Sequence, residues 1–117
     1  MGPFKDDWTE ADVNEVVQKG NVEELLYVPV IVGMNADVCD REWAENICYK
    51  LAVYPDDTVR GNAALGLGHI ARTCQEINLD IAIPLIRKLL SDRNQYVRSQ
   101  AATVVDDFRI YLKVDIL

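Results

Sequence analysis

Asp56-Asp57-Thr58-Val59-Arg60-Gly61-Asn62-Ala63-Ala64-Leu65-Gly66-Leu67-Gly68-His69-Ile70-Ala71 decides how this chain is read. It returns, altered, as Asn94-Gln95-Tyr96-Val97-Arg98-Ser99-Gln100-Ala101-Ala102-Thr103-Val104-Val105-Asp106-Asp107. A step of 38 takes Val59 to Val97, Arg60 to Arg98 and Ala63-Ala64 to Ala101-Ala102. In each copy an apolar stripe recurs at spacings of four, four and three: Val59, Ala63, Leu67 and Ile70, then Val97, Ala101, Val105 and Phe108. Those spacings put the stripe on one face of a helix, and such a face has to be buried. The alanines let a neighbouring helix come close. Asp56, Asp57 and Asn94 are placed to cap the helix starts. A partner helix lies upstream of each copy, with Ile81, Leu85, Ile86, Leu89 and Leu90 in one and Trp43, Ile47, Cys48, Leu51 and Ala52 in the other. Self-similarity at a fixed step of this size predicts stacked helical hairpins.

Ile83-Pro84-Leu85-Ile86-Arg87-Lys88-Leu89-Leu90-Ser91-Asp92 followed by Val97-Arg98-Ser99-Gln100-Ala101-Ala102 resembles the HEAT repeat. The earlier copy, Pro55 to Arg60 through Ala63-Ala64-Leu65-Gly66, carries the second half of that motif. Tyr54 stands where the later copy has Asp92, and Asp106-Asp107 stand where small residues are usual. The resemblance implies an all-α fold: a right-handed α-α superhelix of about three HEAT-like hairpins in a single domain over residues 1–117. The hairpins span 39–73 and 78–112, with a degenerate one at 8–35. It further implies that Arg60 and Arg98 pair with an acid of the adjacent turn, where a guanidinium is satisfied by bidentate hydrogen bonds.

The 117 residues carry a net charge of −7, unevenly spread. Residues 1–57 hold thirteen acids and four bases, a net of −9, whereas residues 58–117 hold six acids and eight bases, a net of +2. An acidic front half repels phosphate backbones, so nucleic acid is not expected as a partner, and a basic protein is. The bland reading of the same charge is solubility. No apolar run reaches the ~18 residues of a membrane span, and the start lacks the blocks of a signal peptide. Cys39, Cys48 and Cys74 are odd in number and lack paired spacing, so they read as reduced thiols of a cytoplasmic protein.

From the start of the chain, Thr9-Glu10-Ala11-Asp12 predicts a capping box, with Trp8 poised to staple to Val13. A short helix follows to Lys19, ended by Gly20. Asn21 caps a second helix expected from Val22 to about Met34, kinked at Pro29. Helices are also expected from Cys39 or Asp40 to Val53, from Asp57 to Thr73, from Asn78 with Pro84 in its first turn, and from Gln95 to about Leu112. The tail Val114 to Leu117 either folds back or frays. Gly61, Gly66 and Gly68 weaken their helix by up to ~1 kcal/mol each, which fits either close helix contact or a flat surface for a partner.

No constellation for catalysis stands out. His69 is the lone histidine, with no nucleophile elbow and no metal spacing near it, and reads as a surface or contact residue. Asp56-Asp57 read as a cap, and Asp106-Asp107 as a contact pair or a solvated patch. Gly66-Leu67-Gly68 lies inside a helix and is no phosphate loop. The chain is therefore not expected to be an enzyme or to hold a cofactor or metal, and no motif points to a small-molecule ligand. In a HEAT-like solenoid the second helices line the concave binding face. That face would expose Glu24 and Tyr27, then Asn62, Gly66 and His69, then Tyr96, Gln100, Thr103 and Asp107, with Asp56 and Asp57 nearby. Tyrosines among acids and amides suit an interface. In size, charge and fold type the chain is similar to the small acidic immunity proteins that neutralise bacterial toxins, many of them nucleases. That resemblance implies a one-to-one complex in which an acidic surface covers a basic active-site cleft. A HEAT-like adaptor completing a larger assembly is a second reading, with the apolar tail as its edge. A third, an enzyme such as a HEAT-like lyase or a DNA-repair glycosylase, has no cofactor motif for the lyase and the acidic charge against the glycosylase.

Overall fold

Side-chain oxygens start the helices of this protein, with one exception that matters. In the computed structural model, which describes residues 8–116, Thr9 and Asp12 form a reciprocal capping box ahead of α1 (Glu10–Lys19), and Gly20 closes it in the left-handed conformation. Asn21 caps α2 (Val22–Leu25). Asp40 caps α4 (Arg41–Leu51), Asp56 caps α5 (Asp57–Cys74), Asn78 caps α6 (Leu79–Leu90) and Asn94 caps α7 (Gln95–Asp107). The exception is α3 (Val28–Met34), which Tyr27 starts without a side-chain cap. No strand occurs among the described residues.

The uncapped start corrects the expectation of one helix kinked at Pro29. The chain breaks earlier, at Leu26-Tyr27, and Pro29 sits at the beginning of α3. Proline's ring sets a helical φ and its missing N–H is no loss in a first turn, so it opens a helix more readily than it bends one. Pro84 departs the other way. It lies inside α6 rather than in its first turn, on the exposed side. Beyond α7, Phe108–Leu112 widen into a π-helical turn that ends at Lys113 with φ 59°. The tail then folds back: Ile116 is buried and its carbonyl accepts from Arg87 Nε at 3.0 Å. It is not an exposed apolar edge; Leu117 lies outside the described residues.

The step of 38 is visible in the hydrogen bonds. Asp56 Oδ1 accepts the Val59 amide and Asn94 Oδ1 the Val97 amide. Asp40 Oδ1 accepts from Glu42 and Asn78 Oδ1 from Asp80. Arg60 donates to the Tyr54 carbonyl, and Arg98 to the carbonyl of Asp92. All four residues of each stripe, Val59 to Ile70 and Val97 to Phe108, are buried. On the partner helices Ala44 and Ala82 face the core, whereas Ile81 is exposed, contrary to its expected place in the stripe.

Helix α5 is the centre of the packing. α3 and α7 lie against it on either side, α4 covers α3 and α5, and α6 covers α7. The result is two layers of helices in a body 40 × 28 × 19 Å, the shortest dimension being what two layers at ~8–10 Å between axes occupy. The glycines of α5 are consumed by this packing. A Cβ on Gly66 would sit 2.5 Å from the Pro29 carbonyl oxygen, and one on Gly33 of α3 2.6 Å from the Gly66 carbonyl oxygen. A Cβ on Gly61 would meet the Tyr96 ring, and one on Gly68 the Asp107 carboxylate, each at 2.5 Å. Close contact, not a flat outer surface, is what these glycines serve.

Candidate functional site

The break before α3, the first turns of α5 and the first turn of α7 come together at one end of the α3–α5–α7 layer. Asn62 joins them. Its Nδ2 donates to the Leu26 carbonyl at 2.8 Å, and its Oδ1 accepts from the Tyr96 hydroxyl. Leu26 has a carbonyl to give because the helix stops there. Tyr96 lies over Gly61, where no side chain competes for the space. Tyr27, beside Leu26, is 66% exposed, and Tyr96 is 38% exposed. Glu23 and Glu24 are exposed in the preceding turn, and neither carboxylate has a hydrogen bond or ion pair among the described residues. Gln100 is half-buried one turn along α7 from Tyr96, and Thr103 is exposed a turn further, its hydroxyl donating to the Ser99 carbonyl at 3.2 Å. Glu24, Tyr27, Asn62 and Tyr96 therefore share a neighbourhood, although 72 residues separate the first from the last.

His69 and Asp107 belong to a different arrangement, near the other end of α5. Arg72 bridges them, bonding to His69 Nδ1 and donating to Asp107 Oδ2 at 3.1 Å. Asp107 is buried, its carboxylate against Gly68. Burial raises its pKa against the opposing pull of Arg72. It is turned inward rather than presented on a solvated ridge, while Asp106 remains exposed and paired with Arg109 at 3.1 Å. His69 is half-buried against α3, and burial with the Arg72 charge holds its pKa down at about 4. It is neutral at pH 7.

That depression has a sign. Unfolded, a histidine takes its proton near 6.5; folded, His69 takes it only near 4. The unfolded state binds more protons between those values, so stability falls as pH drops through that window. Discounted for partial exposure, the loss is roughly 1 kcal/mol between pH 6.5 and pH 5. His69→Gln is expected to flatten this part of the profile, read by urea denaturation at a series of pH values. An unchanged slope would assign the pH dependence elsewhere.

Asp56 and Asp57 are committed to the fold. Asp56 caps α5 at 3.0 Å. Asp57 is paired with Arg60 and accepts from Asn94 Nδ2 at 3.1 Å. Arg60 in turn forks onto Asp92, with Nε and one terminal nitrogen each 3.0 Å from a carboxylate oxygen. The expected arginine–acid pairing therefore holds for Arg60. Among the described residues Arg98 has no such acid; it is exposed, and its guanidinium donates to the Asp92 carbonyl at 2.8 Å. The cleft of about 400 Å³ between these turns is walled by this ion pair together with Lys88 and Arg93.

Two features escape a reading of the sequence. Glu45 carries a carboxylate yet is buried at a core position of α4. It is paired with Arg41 and accepts the Tyr49 hydroxyl at 2.6 Å and the Asn78 amide at 3.0 Å. It ties α4 to the start of α6. The run Arg41, Glu45, Tyr49 at fours is the only local hint. The second is Trp8, half-buried, which lines two adjoining clefts. Among the described residues no group of side chains is arranged to hold a metal ion. Cys39, Cys48 and Cys74 are free; Cys48 is fully buried and the other two half-buried, with burial pushing the Cys39 thiol up to about 11. No described helix is long and apolar enough to cross a membrane. Compared with protein-family models, curated proteins and solved structures, the chain matches none.

Proposed function

We propose that this chain is a protein-binding module, a short right-handed superhelix of HEAT-like hairpins whose second-helix face takes a basic protein partner. One observation carries the reading. The ends of α2, α5 and α7 are hydrogen-bonded into one surface that offers Tyr27, Tyr96 and the carboxylates of Glu23 and Glu24, which have no partner among the described residues. Exposed tyrosines held by fixed backbones cost little entropy to bury, which is what interfaces select. The carboxylates supply complementarity to a basic surface and steer its approach. The resemblance in size, charge and fold type to toxin-neutralising immunity proteins gives the specific form: a one-to-one inhibitor of a bacterial toxin, such as a nuclease, whose phosphate-binding cleft is basic. On this reading the chain itself performs no catalysis.

The test looks for a toxin-like gene immediately upstream and mixes its product with this chain. A one-to-one complex that suppresses that protein's toxicity and weakens steeply with salt supports the proposal. Glu23→Lys combined with Glu24→Lys is expected to slow association at least about tenfold at low salt without loss of thermal stability. Asp107 does not serve for this test, since a lysine there would be driven against Gly68 and Arg72. An unchanged association rate in the double variant would move the interface off this face.

A further inference from the structure

Trp8, Glu23, Glu24, Leu26 and Tyr27 enclose a cleft of about 430 Å³. A second cleft of about 300 Å³ adjoins it, with Trp8 and Glu24 common to both and Asp12, Glu15, Val16 and Lys19 on its far side. The carboxylates around Trp8 differ in what they already do. Asp12 accepts the Thr9 amide at 2.8 Å within the capping box, and Glu15 is paired with Lys19 at 3.2 Å. Glu23 and Glu24 have no partner among the described residues, and both line the larger cleft. Trp8 is half-buried against the core, so its position is held. Tyr27 stands at the helix break with most of its surface free.

We infer that the larger cleft is a receptor for a guanidinium group, an arginine side chain projecting from the partner. Two aromatic rings beside two carboxylates that have no partner among the described residues are complementary to a planar cation. Such a cation stacks on or over a ring and donates its fork of N–H groups to the acids. An ammonium satisfies the charge but not the plane or the fork. A phosphate is repelled by the same two acids, and a neutral apolar group would leave them dry and unpaired. The inference rests on the proposed basic partner and narrows its anchor to one side-chain chemistry at one place.

The probe is N-acetyl-arginine amide, with the lysine and citrulline analogues as controls, titrated into the isotopically labelled protein and followed by nuclear magnetic resonance. The arginine probe is expected to bind with a roughly millimolar dissociation constant. The largest shifts should fall on the Trp8 indole and the Glu23, Glu24 and Tyr27 amides. The neutral citrulline analogue should bind at least about tenfold more weakly, and the lysine analogue several-fold more weakly. Glu23→Gln with Glu24→Gln, and separately Tyr27→Ala, should each weaken the arginine probe at least about fivefold. Tyr27→Ala is expected to leave the fold intact, because Tyr27 is exposed. Shifts spread evenly over the acidic surface, equal affinity for arginine and lysine, or indifference to Tyr27→Ala would each overturn the inference, leaving the basic-partner reading intact. A partner complex unaffected by the Glu23→Lys, Glu24→Lys variant, alongside normal arginine binding, would instead overturn that reading alone.

Discussion

Arg60→Ala is expected to remove about 3–5 kcal/mol of folding stability, a large share of the ~5–15 kcal/mol available to a domain of this kind. Arg60 is 8% exposed and holds the two long hairpins together. It forks onto Asp92 between α6 and α7, pairs with Asp57, and donates to the carbonyls of Tyr54 and Pro55. Truncating it leaves a mostly buried carboxylate and two carbonyls without their donor. Asp92→Asn keeps an acceptor in place and should cost less, about 1–2 kcal/mol. A double-mutant cycle on Arg60 and Asp92 by chemical denaturation should give a coupling of at least about 1 kcal/mol, and additive losses would show that the pair contributes no mutual stabilisation. The pair also sets an acid limit. Hydrogen bonds from Arg60 hold the Asp92 pKa below its ordinary value. Its contribution is complete above the usual carboxylate range and is lost as pH falls through the depressed folded value. This loss lies below the window assigned to His69, so the two can be separated in one pH series.

Gly66→Ala should destabilise by about 2–3 kcal/mol, a drop of roughly 10 °C in Tm, even though alanine is the better helix former by about 1 kcal/mol. The added carbon would lie 2.5 Å from the Pro29 carbonyl oxygen and 2.8 Å from Cys48 Sγ. Backbone cannot rotate away, so α3 and α5 have to part. Gly61→Ala is the control. Its obstacle is the Tyr96 ring, an exposed side chain on α7 that can swing outward. Stability should change by less than about 1 kcal/mol, while the Tyr96–Asn62 bond and the binding surface built on it are disturbed. If Gly66→Ala melts at the parent temperature, the α3–α5 crossing is looser than the contact distances imply.

The two substitutions also mark how far the sequence could be read. Three glycines in one helix were visible, with close contact and a bare surface as equal alternatives; the choice needed Pro29, Tyr96 and Asp107 placed opposite them. Pro29 itself was visible as an interruption, but whether it bends a helix or opens one depends on whether Leu26 keeps its carbonyl for the helix or yields it to Asn62. The candidate surface was legible in part for the same reason. Asn62 and Tyr96 follow from the helix face on which the repeat puts them, whereas Tyr27 lies in the break between α2 and α3. The inward turn of Asp107 follows from nothing local, since a carboxylate beside an identical one gives no sign of which faces the neighbouring helix.

By itself the amino-acid sequence determined what is local or periodic: an all-helical chain, the caps at Thr9, Asn21, Asp40, Asp56, Asn78 and Asn94, and the buried stripes repeating at a step of 38. These rest on forces acting within a few turns, namely hydrogen bonds to free helix ends and the burial of a helix face. Only the tertiary structure decided which polar groups meet: Asn62 with Leu26 and Tyr96, Arg72 with Asp107, Glu45 with Asn78, and Trp8 with Glu23, Glu24 and Tyr27. Most of those partners lie about thirty or more residues apart. Their pairing depends on how deeply one helix seats against the next, which the size of single atoms at Gly33, Gly61, Gly66 and Gly68 controls.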